Sequence, residues 1–167
     1  RLLSLKSTFL NRNDVMNLMM WIRSKPSLTL PPPCIMVPEK GIYLWSGKQV
    51  FSFFLPNINH DLPGSGEDKD SWIPANDTRV IIRNGNLLAG ILDNSTVSRS
   101  EKSLAQVVIN SWSKNFARDF LSETQMVVNN WLESRGFSIG LIDSVATKST
   151  LRKVSQKLVK LKREADD

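Results

Sequence analysis

Cysteine and histidine are almost absent from this chain, since each occurs once among 167 residues. Cys34 has no cysteine partner, so the chain can form no internal disulfide and cannot assemble a cysteine-based zinc site by itself. A reducing interior is therefore the expected compartment. Because His60 is the only histidine, metal sites that need two histidines are excluded. A nucleophile activated by histidine is possible only if His60 is the base. We expect His60 to be a solvated surface residue in a polar loop.

Long apolar runs are also missing. No stretch of about 18 apolar residues occurs, and the first ten residues are too polar for a signal peptide or a membrane span. We therefore expect a soluble chain with no membrane partner. The hydrophobic content of 41% fits one globular domain with an element appended at one end. The chain begins without methionine, which favours an excised or processed piece of a longer protein.

The sequence holds no complete catalytic motif. Ser46-Gly47-Lys48 is similar to the end of a phosphate-binding loop, but Gln49 stands where that motif needs serine or threonine. The Gly64-Ser65-Gly66 sequence follows no apolar strand and is typical of a flexible loop. No Asp-x-Asp-x-Asp cluster that could hold two magnesium ions is present. We therefore expect no phosphoryl transfer by this chain alone.

Positive charge is concentrated near the C-terminal end. The chain carries 22 Lys and Arg against 16 Asp and Glu, a formal charge of +6. Residues 148–167 hold +4 of it, so the preceding 147 residues are nearly neutral at +2. This end predicts a basic helix with a narrow apolar stripe of Leu151, Val154, Leu158 and Leu161. Its basic face is either a phosphate-tracking surface or a solvated face around a packing stripe, and no aromatic residue is interleaved for base stacking.

Apolar periodicity and turn residues predict an α+β fold, in which a small β hairpin or mixed sheet packs on a long amphipathic helix and a basic C-terminal helix follows. Short helices are predicted over 11–21 and 104–112, and the long helix covers 116–132 and ends near Gly136. The hairpin joins 79–83 to 86–92 through Asn84-Gly85, a pair that tolerates the positive φ angles of a type I′ turn.

Three stretches have a less regular pattern. Residues 30–38 contain four prolines, which predict a rigid, extended connector with one short strand around Ile35. Residues 45–55 are apolar enough to be buried and fit the helical and strand periods equally well. Residues 57–78 form a long polar segment that we expect to be a poorly ordered loop.

Six short motifs occur in order along most of the chain. They are Pro32-Pro33 with Ile35 and Pro38, Leu44 to Ser52, Leu55-Pro56, Ile82 to Gly85 with Leu88 and Gly90 to Asp93, Val127 to Leu132, and Gly136 to Gly140 with Asp143. Together they resemble the largest subunit of eukaryotic nuclear DNA-directed RNA polymerases. Val-Val-Asn-x-Trp-Leu followed by Gly-Phe-Ser-Ile-Gly is most similar to polymerase II, and the final motif alone also fits polymerase III. The resemblance assigns residues 1–146 to the pore domain and residues 147–167 to the start of the funnel helices.

The resemblance implies a structural role inside an enzyme. In this family the segment is a wall of the pore, or secondary channel, that serves nucleoside triphosphate entry and backtracked RNA, and a transcript-cleavage elongation factor inserts there. The chain would then be part of a nuclear nucleotidyltransferase, with other polymerase subunits, template DNA and the RNA transcript as partners. No catalytic residue and no cofactor are expected on the chain itself, because magnesium acts in the complete enzyme and its binding loop lies upstream. The alternative from a different class is an independent basic nucleic-acid-binding module.

The resemblance also suggests which residues face the channel. They are Lys48, Gln49, Arg83, Asn94, Ser95 and Thr96. Each has a plain structural alternative, since Lys48 and Gln49 can cap or bond the fold and Arg83 can be an ordinary exposed strand residue. The family typically has lysines where Asn94 and Ser95 stand in this chain, and Arg99 or Lys102 would substitute for them in contacting RNA.

Overall fold

A computed structural model describes residues 1–25, 29–63, 77–99 and 101–166. The chain divides into two compact units, Arg1–Ser134 and Arg135–Asp167. The predicted α+β class is confirmed, and the described strands of the first unit form two separate three-stranded antiparallel sheets. The domain boundary predicted between residues 146 and 147 remains a prediction.

The first sheet contains β1 (Phe9–Leu10), β2 (Ile35–Val37) and β3 (Ile42–Ser46) in the order β1-β3-β2. Proline has no backbone N–H, so strand pairing starts only after the proline run, where the Cys34 N–H donates to the Leu44 carbonyl at 2.9 Å. A short 3-10 turn over Pro38–Lys40 then leads through Gly41 into β3. The predicted connector with a short strand around Ile35 is confirmed.

The second sheet contains β4 (His60–Pro63), β5 (Arg79–Arg83) and β6 (Asn86–Ala89) in the order β4-β5-β6. Asn84 has φ 49° and Gly85 has φ 72°, which confirms the predicted turn with two positive φ angles. A Cβ at Gly85 would also lie only 2.7 Å from the Pro56 carbonyl oxygen, so the position has no room for a side chain.

The prediction of a polar loop over residues 57–78 was wrong at four of the described residues. His60–Pro63 is a strand rather than a loop, and residues 64–76 lie outside the described part of the chain. β4 pairs with β5 on the side away from β6. Backbone hydrogen bonds do not depend on the side chains, so a polar segment can form this strand. His60 is accordingly half-buried, and its Nε2–H donates to the Lys102 carbonyl at 2.9 Å, so it is not a freely solvated residue.

The described residues also form five α-helices: α1 (Arg12–Met19), α2 (Gly47–Ser52), α3 (Leu104–Ser111), α4 (Lys114–Arg135) and α5 (Lys148–Asp166). The ambiguous stretch 45–55 contains both structures, because Trp45 belongs to β3 and α2 starts two residues later. The predicted long helix is α4. The short helix predicted over 11–21 is α1, which ends at Met19.

The core of the first unit lies between α4 and the segment around α2. Phe54 is fully buried, with its ring centroid 4.6 Å from that of Phe51 and 6.1 Å from that of Phe120 on α4. The buried residues of α4 fall on one face, as the predicted amphipathic pattern requires, and they are Ala117, Phe120, Glu123, Val127 and Trp131. In the second unit, every described side chain of α5 is exposed. None of the described helices is long and apolar enough to cross a membrane.

Candidate functional site

The side chain of Gln49 forms hydrogen bonds at the start of α2. Ser46 and Gln49 form a capping box, in which the Gln49 N–H donates to Ser46 Oγ at 3.2 Å and the Ser46 N–H donates to Gln49 Oε1 at 3.0 Å. The Gln49 Nε2 also donates to the Pro32 carbonyl at 3.1 Å, which ties α2 to the proline connector. A Cβ at Gly47 would collide with the Leu3 carbonyl group, so only glycine fits there. Gln49 therefore acts as a cap, the structural alternative considered for it.

Lys48 is also bonded inside the first unit. Its Nζ lies 2.5 Å from Asp77 Oδ1, and the side chains of Lys48 and Asp77 are only 14% and 8% exposed. The same Asp77 oxygen accepts a hydrogen bond from the Gly90 N–H at 3.0 Å. The pair thus links α2 to the start of β5 and to the residue after β6. Asp77 holds these segments together, but the sequence analysis did not identify it. Its partner Lys48 is 29 positions away, so no local sequence pattern indicates the pair.

Asn94, Ser95 and Thr96 lie in a tight turn organised by Asp93, which leads into a π-helical turn over Ser95–Arg99. The Thr96 N–H donates to Asp93 Oδ1 and the Asp93 N–H donates to Thr96 Oγ1, both at 2.9 Å. Thr96 is only 3% exposed, whereas Asn94 lies at the surface with its Oδ1 accepting from Ser98 Oγ. The Ser95 Oγ donates to Asp93 Oδ1 at 2.7 Å. The turn therefore places Asn94 outward and Thr96 inward.

Arg83 lies at the turn end of the β5–β6 hairpin, in contact with β4. Its Nη2 is 3.7 Å from Asp61 Oδ2, and its Nη1 donates to the carbonyls of Ile82 and His60 at 3.0 and 3.4 Å. Asp61 also accepts from Arg79 Nε at 2.5 Å, so one carboxylate joins two arginines of the same strand. The hydrogen bond from Arg79 is the main reason that the pKa of Asp61 is lowered, and the charges of Arg79 and Arg83 add to it.

The predicted residues therefore separate into two groups. Lys48 is connected to the open end of the β5–β6 hairpin through Asp77 and Gly90, and the Asp93 turn follows Gly90 three residues later in the chain. Arg83 lies at the turn end, and Lys102 is held near this end through the bond from His60 to its carbonyl while its side chain is exposed. Arg99 closes the π-helical turn. A strand of five residues, or about 13 Å between its terminal Cα atoms, separates the two ends.

A buried carboxylate on α4 holds the chain segment that follows α1. Glu123 Oε1 accepts from the N–H groups of Arg23 and Ser24 at 2.8 and 2.6 Å, and Oε2 accepts from Ser24 Oγ at 2.7 Å. The neighbouring Lys25 donates to the Leu55 carbonyl at 2.8 Å. Burial lowers the pKa of Lys25, and the charge of Glu123 opposes that shift. The sequence offered no signal for Glu123 beyond an acidic residue on an apolar helix face.

Within the described segments, no three His, Cys, Asp or Glu side chains come together in a way that could hold a metal ion. Two surface grooves accompany the site. The larger, about 760 Å³, runs along the proline connector and Tyr43, and the smaller, about 280 Å³, is bordered by Lys25, Gln49 and Ser52.

Comparison with known proteins shows which family this chain belongs to. Residues 1–144 match the family described as RNA polymerase Rpb1, domain 3. Because the match covers most of the chain, the protein belongs to this family, and the resemblance to the polymerase largest subunit is confirmed.

Two relatives from Trypanosoma brucei brucei place the similarity more finely. They are the DNA-directed RNA polymerase II subunits RPB1-A and RPB1-B, each 37% identical to this chain over 161 residues. The alignments cover 96% of this chain and 9% of each relative. The chain thus spans about a tenth of the length of the curated relatives it matches.

Proposed function

We propose that this chain is a segment of the largest subunit of DNA-directed RNA polymerase II and forms part of the wall of its pore. The identity of 37% over 96% of the chain to two polymerase II subunits is the observation that carries the proposal. The whole enzyme would be a nucleotidyltransferase that transcribes DNA into RNA, with this chain contributing structure rather than reacting groups.

The internal bonding of the first unit supports a scaffold role. Lys48, Gln49 and Thr96 each use their polar atoms to hold neighbouring segments in place. We assign them to shaping the wall, and we assign the exposed side chains of Arg83, Asn94 and Lys102 to contact with what passes through the channel. Arginine and lysine suit backbone phosphates, and the asparagine amide suits bases or sugars.

Partners and compartment follow from the same proposal. The chain would contact other polymerase subunits, and through the whole enzyme it would serve template DNA and the RNA transcript. A transcript-cleavage elongation factor would reach the funnel next to it, the enzyme would act in the nucleus, and the magnesium ion would lie in the complete assembly.

The proposal is tested by purifying the tagged full-length protein that contains this segment from its own cells. We expect the other polymerase subunits to copurify in fixed proportion and the preparation to synthesise RNA on a DNA template. Recovery of the protein without polymerase subunits, bound to nucleic acid, would contradict the assignment. The identity of the copurifying subunits also distinguishes polymerase II from polymerase III.

A second candidate function is binding of nucleic acid by the basic helix α5. All described side chains of this helix are exposed, and residues 148–167 carry a net charge of +4. An independent binding module would bind single-stranded RNA tightly, with an affinity that falls steeply as salt rises, because neutralised phosphates release counterions. Weak binding without sequence preference by the 167-residue chain favours the polymerase segment instead.

A further inference from the structure

We propose that Arg79 and Arg83, positioned by Asp61, form a phosphate-binding site on the exposed face of the second sheet. This inference rests on the proposed function for its ligand, which is the phosphate of an RNA backbone or of a nucleoside triphosphate in the channel. The two sources share the chemistry of a phosphate oxygen recognised by a guanidinium group.

Strand alternation places both arginines on one face. In β5 the buried residues are Val80 and Ile82, so the side chains of positions 79, 81 and 83 point to the opposite, solvent-exposed face. Arg79 and Arg83 are 65% and 47% exposed. Without a further contact, two such side chains would sample many rotamers and would seldom point to the same place.

Asp61 supplies that contact from the neighbouring strand. The register of β4 and β5 places Asp61 directly opposite Ile81, midway between the two arginines. One carboxylate oxygen accepts from Arg79 Nε, and the other lies 3.7 Å from Arg83 Nη2. The His60 side chain fixes the preceding residue of β4 through the Lys102 carbonyl, so the strand that carries Asp61 is anchored at this end. The carboxylate therefore draws both guanidinium groups toward one point.

The cluster keeps hydrogen-bond donors for a ligand. A guanidinium group has five N–H donors, and Arg79 uses only its Nε–H. In the part of the chain that the structure describes, the two terminal nitrogens of Arg79 have no bonding partner. Two cations and one anion also leave the cluster with one net positive charge at the surface.

Stabilisation of the fold is a weak explanation for this arrangement. Exposed ion pairs typically contribute about 0–1 kcal/mol, because solvent screens them and ordering long side chains costs entropy. Two arginines that converge on one carboxylate would gain little stability from it, whereas the terminal nitrogens of Arg79, held beside the positive charge of Arg83, suit a phosphate group.

The direct test is titration of the 167-residue chain with two probes, inorganic triphosphate and a short single-stranded RNA, followed through the arginine Nε–H signals by NMR. We expect the Arg79 and Arg83 signals to shift with at least one probe. The double variant Arg79→Gln with Arg83→Gln should weaken that binding at least about tenfold and reduce the slope of log affinity against log salt for RNA by about 1.4. Arg118→Gln is the matched control, since Arg118 is also an exposed arginine paired with an aspartate.

The outcomes test the phosphate-binding site independently of the proposed function. A response to triphosphate alone assigns the site to nucleotides, and a response to RNA alone assigns it to the transcript. Equal affinities of the double variant, the control and the unchanged chain for both probes would overturn the site, even if the tagged protein copurifies with polymerase. Arg79→Lys provides a second variant that keeps the charge and the exposed position but lacks the fork, and its affinity should fall by less than that of Arg79→Gln.

Discussion

At the scale of single residues, three buried or half-buried polar groups hold distant segments of the first unit together. Glu123 reaches the backbone after α1, Lys48 reaches Asp77, and the Ser52 Oγ accepts from the Leu87 N–H at 2.9 Å. Each bond joins residues that are 29 to 100 positions apart. Because a buried polar group costs more when its partner is removed than the bond contributes when present, these residues should be sensitive to truncation.

Replacement of Glu123 by alanine should lower the free energy of unfolding by about 2–4 kcal/mol, because the N–H groups of Arg23 and Ser24 lose a charged acceptor. Glu123→Gln keeps one oxygen acceptor and should lose less. Chemical denaturation of the chain measures both, with Glu133→Ala as the control for an exposed glutamate on the same helix. Equal stability of the Glu123→Ala and Glu133→Ala variants would show that the buried contacts carry no weight.

Lys48→Ala should destabilise the chain by about 3–5 kcal/mol, because it leaves the Asp77 carboxylate buried without its charge partner. Thermal and denaturant unfolding measure the loss. Lys102→Ala removes the same charge from an exposed side chain and should change stability by less than about 0.5 kcal/mol. If Lys48 instead faced the channel, its alanine variant would be as stable as the Lys102 variant.

The titration of Asp61 provides a prediction on pH. Its pKa is lowered from 3.8 mainly by the hydrogen bond from Arg79, so Arg79→Gln should raise the Asp61 midpoint more than Arg83→Gln does. Because the pKa of Asp61 is lower in the folded chain, the ionised carboxylate stabilises the fold above pH 3.8. This contribution is lost as the pH falls through the pKa that Asp61 has in the folded chain. Carboxyl carbon NMR shifts between about pH 2 and 6 follow the group. A larger shift in the Arg83→Gln variant would contradict the assigned order of causes.

At the scale of secondary-structure elements, the sequence predicted correctly those elements that depend on neighbouring residues alone. The Asn84-Gly85 turn needs two positive φ angles, and that requirement is written in the two residues themselves. The long α4 follows from apolar residues at helical spacing. The stretch 45–55 stayed ambiguous because a strand ends and a helix begins within it, so no single period applies.

Strand β4 and the candidate site were beyond sequence reasoning for a physical reason. The segment His60–Pro63 becomes a strand by pairing with β5, whose partner residues lie about 20 positions later. The same pairing brings Asp61 between Arg79 and Arg83, so the cluster could not be read from the sequence before the register was known. The channel residues taken from the family resemblance likewise needed the structure to separate exposed Arg83 and Asn94 from buried Thr96.

Gly47 gives an element-scale prediction, since it sets how closely α2 approaches the first residues of the chain. Gly47→Ala should destabilise the chain by about 3 kcal/mol or more, because the new Cβ would collide with the Leu3 backbone. Gly41→Ala is the matched control. Its φ of 63° costs a side chain about 1–2 kcal/mol, but no atom lies within 4 Å of the added Cβ. Equilibrium unfolding should rank the two variants in this order, and the reverse order would contradict the close contact.

At the scale of the whole molecule, the buried core belongs to the first unit alone. The core residues extend from Leu3 to Trp131, and every side chain that is described from residue 135 onward is exposed. The apolar stripe of α5, from Leu151 to Leu161, is about half exposed at each position. Helices of this length are marginal in water without tertiary packing, so the stability of the second unit should be low.

A chain that ends at Arg135 should therefore unfold cooperatively with a free energy within about 0.5 kcal/mol of that of the full chain, because it keeps every residue of the described core, from Leu3 to Trp131. Far-ultraviolet circular dichroism should lose helical signal while the tryptophan signals in the near ultraviolet stay unchanged. A chain that ends before Phe120 is the control and should not fold, since it lacks the α4 side of the core. A loss of several kcal/mol in the chain ending at Arg135 would mean that α5 stabilises the first unit.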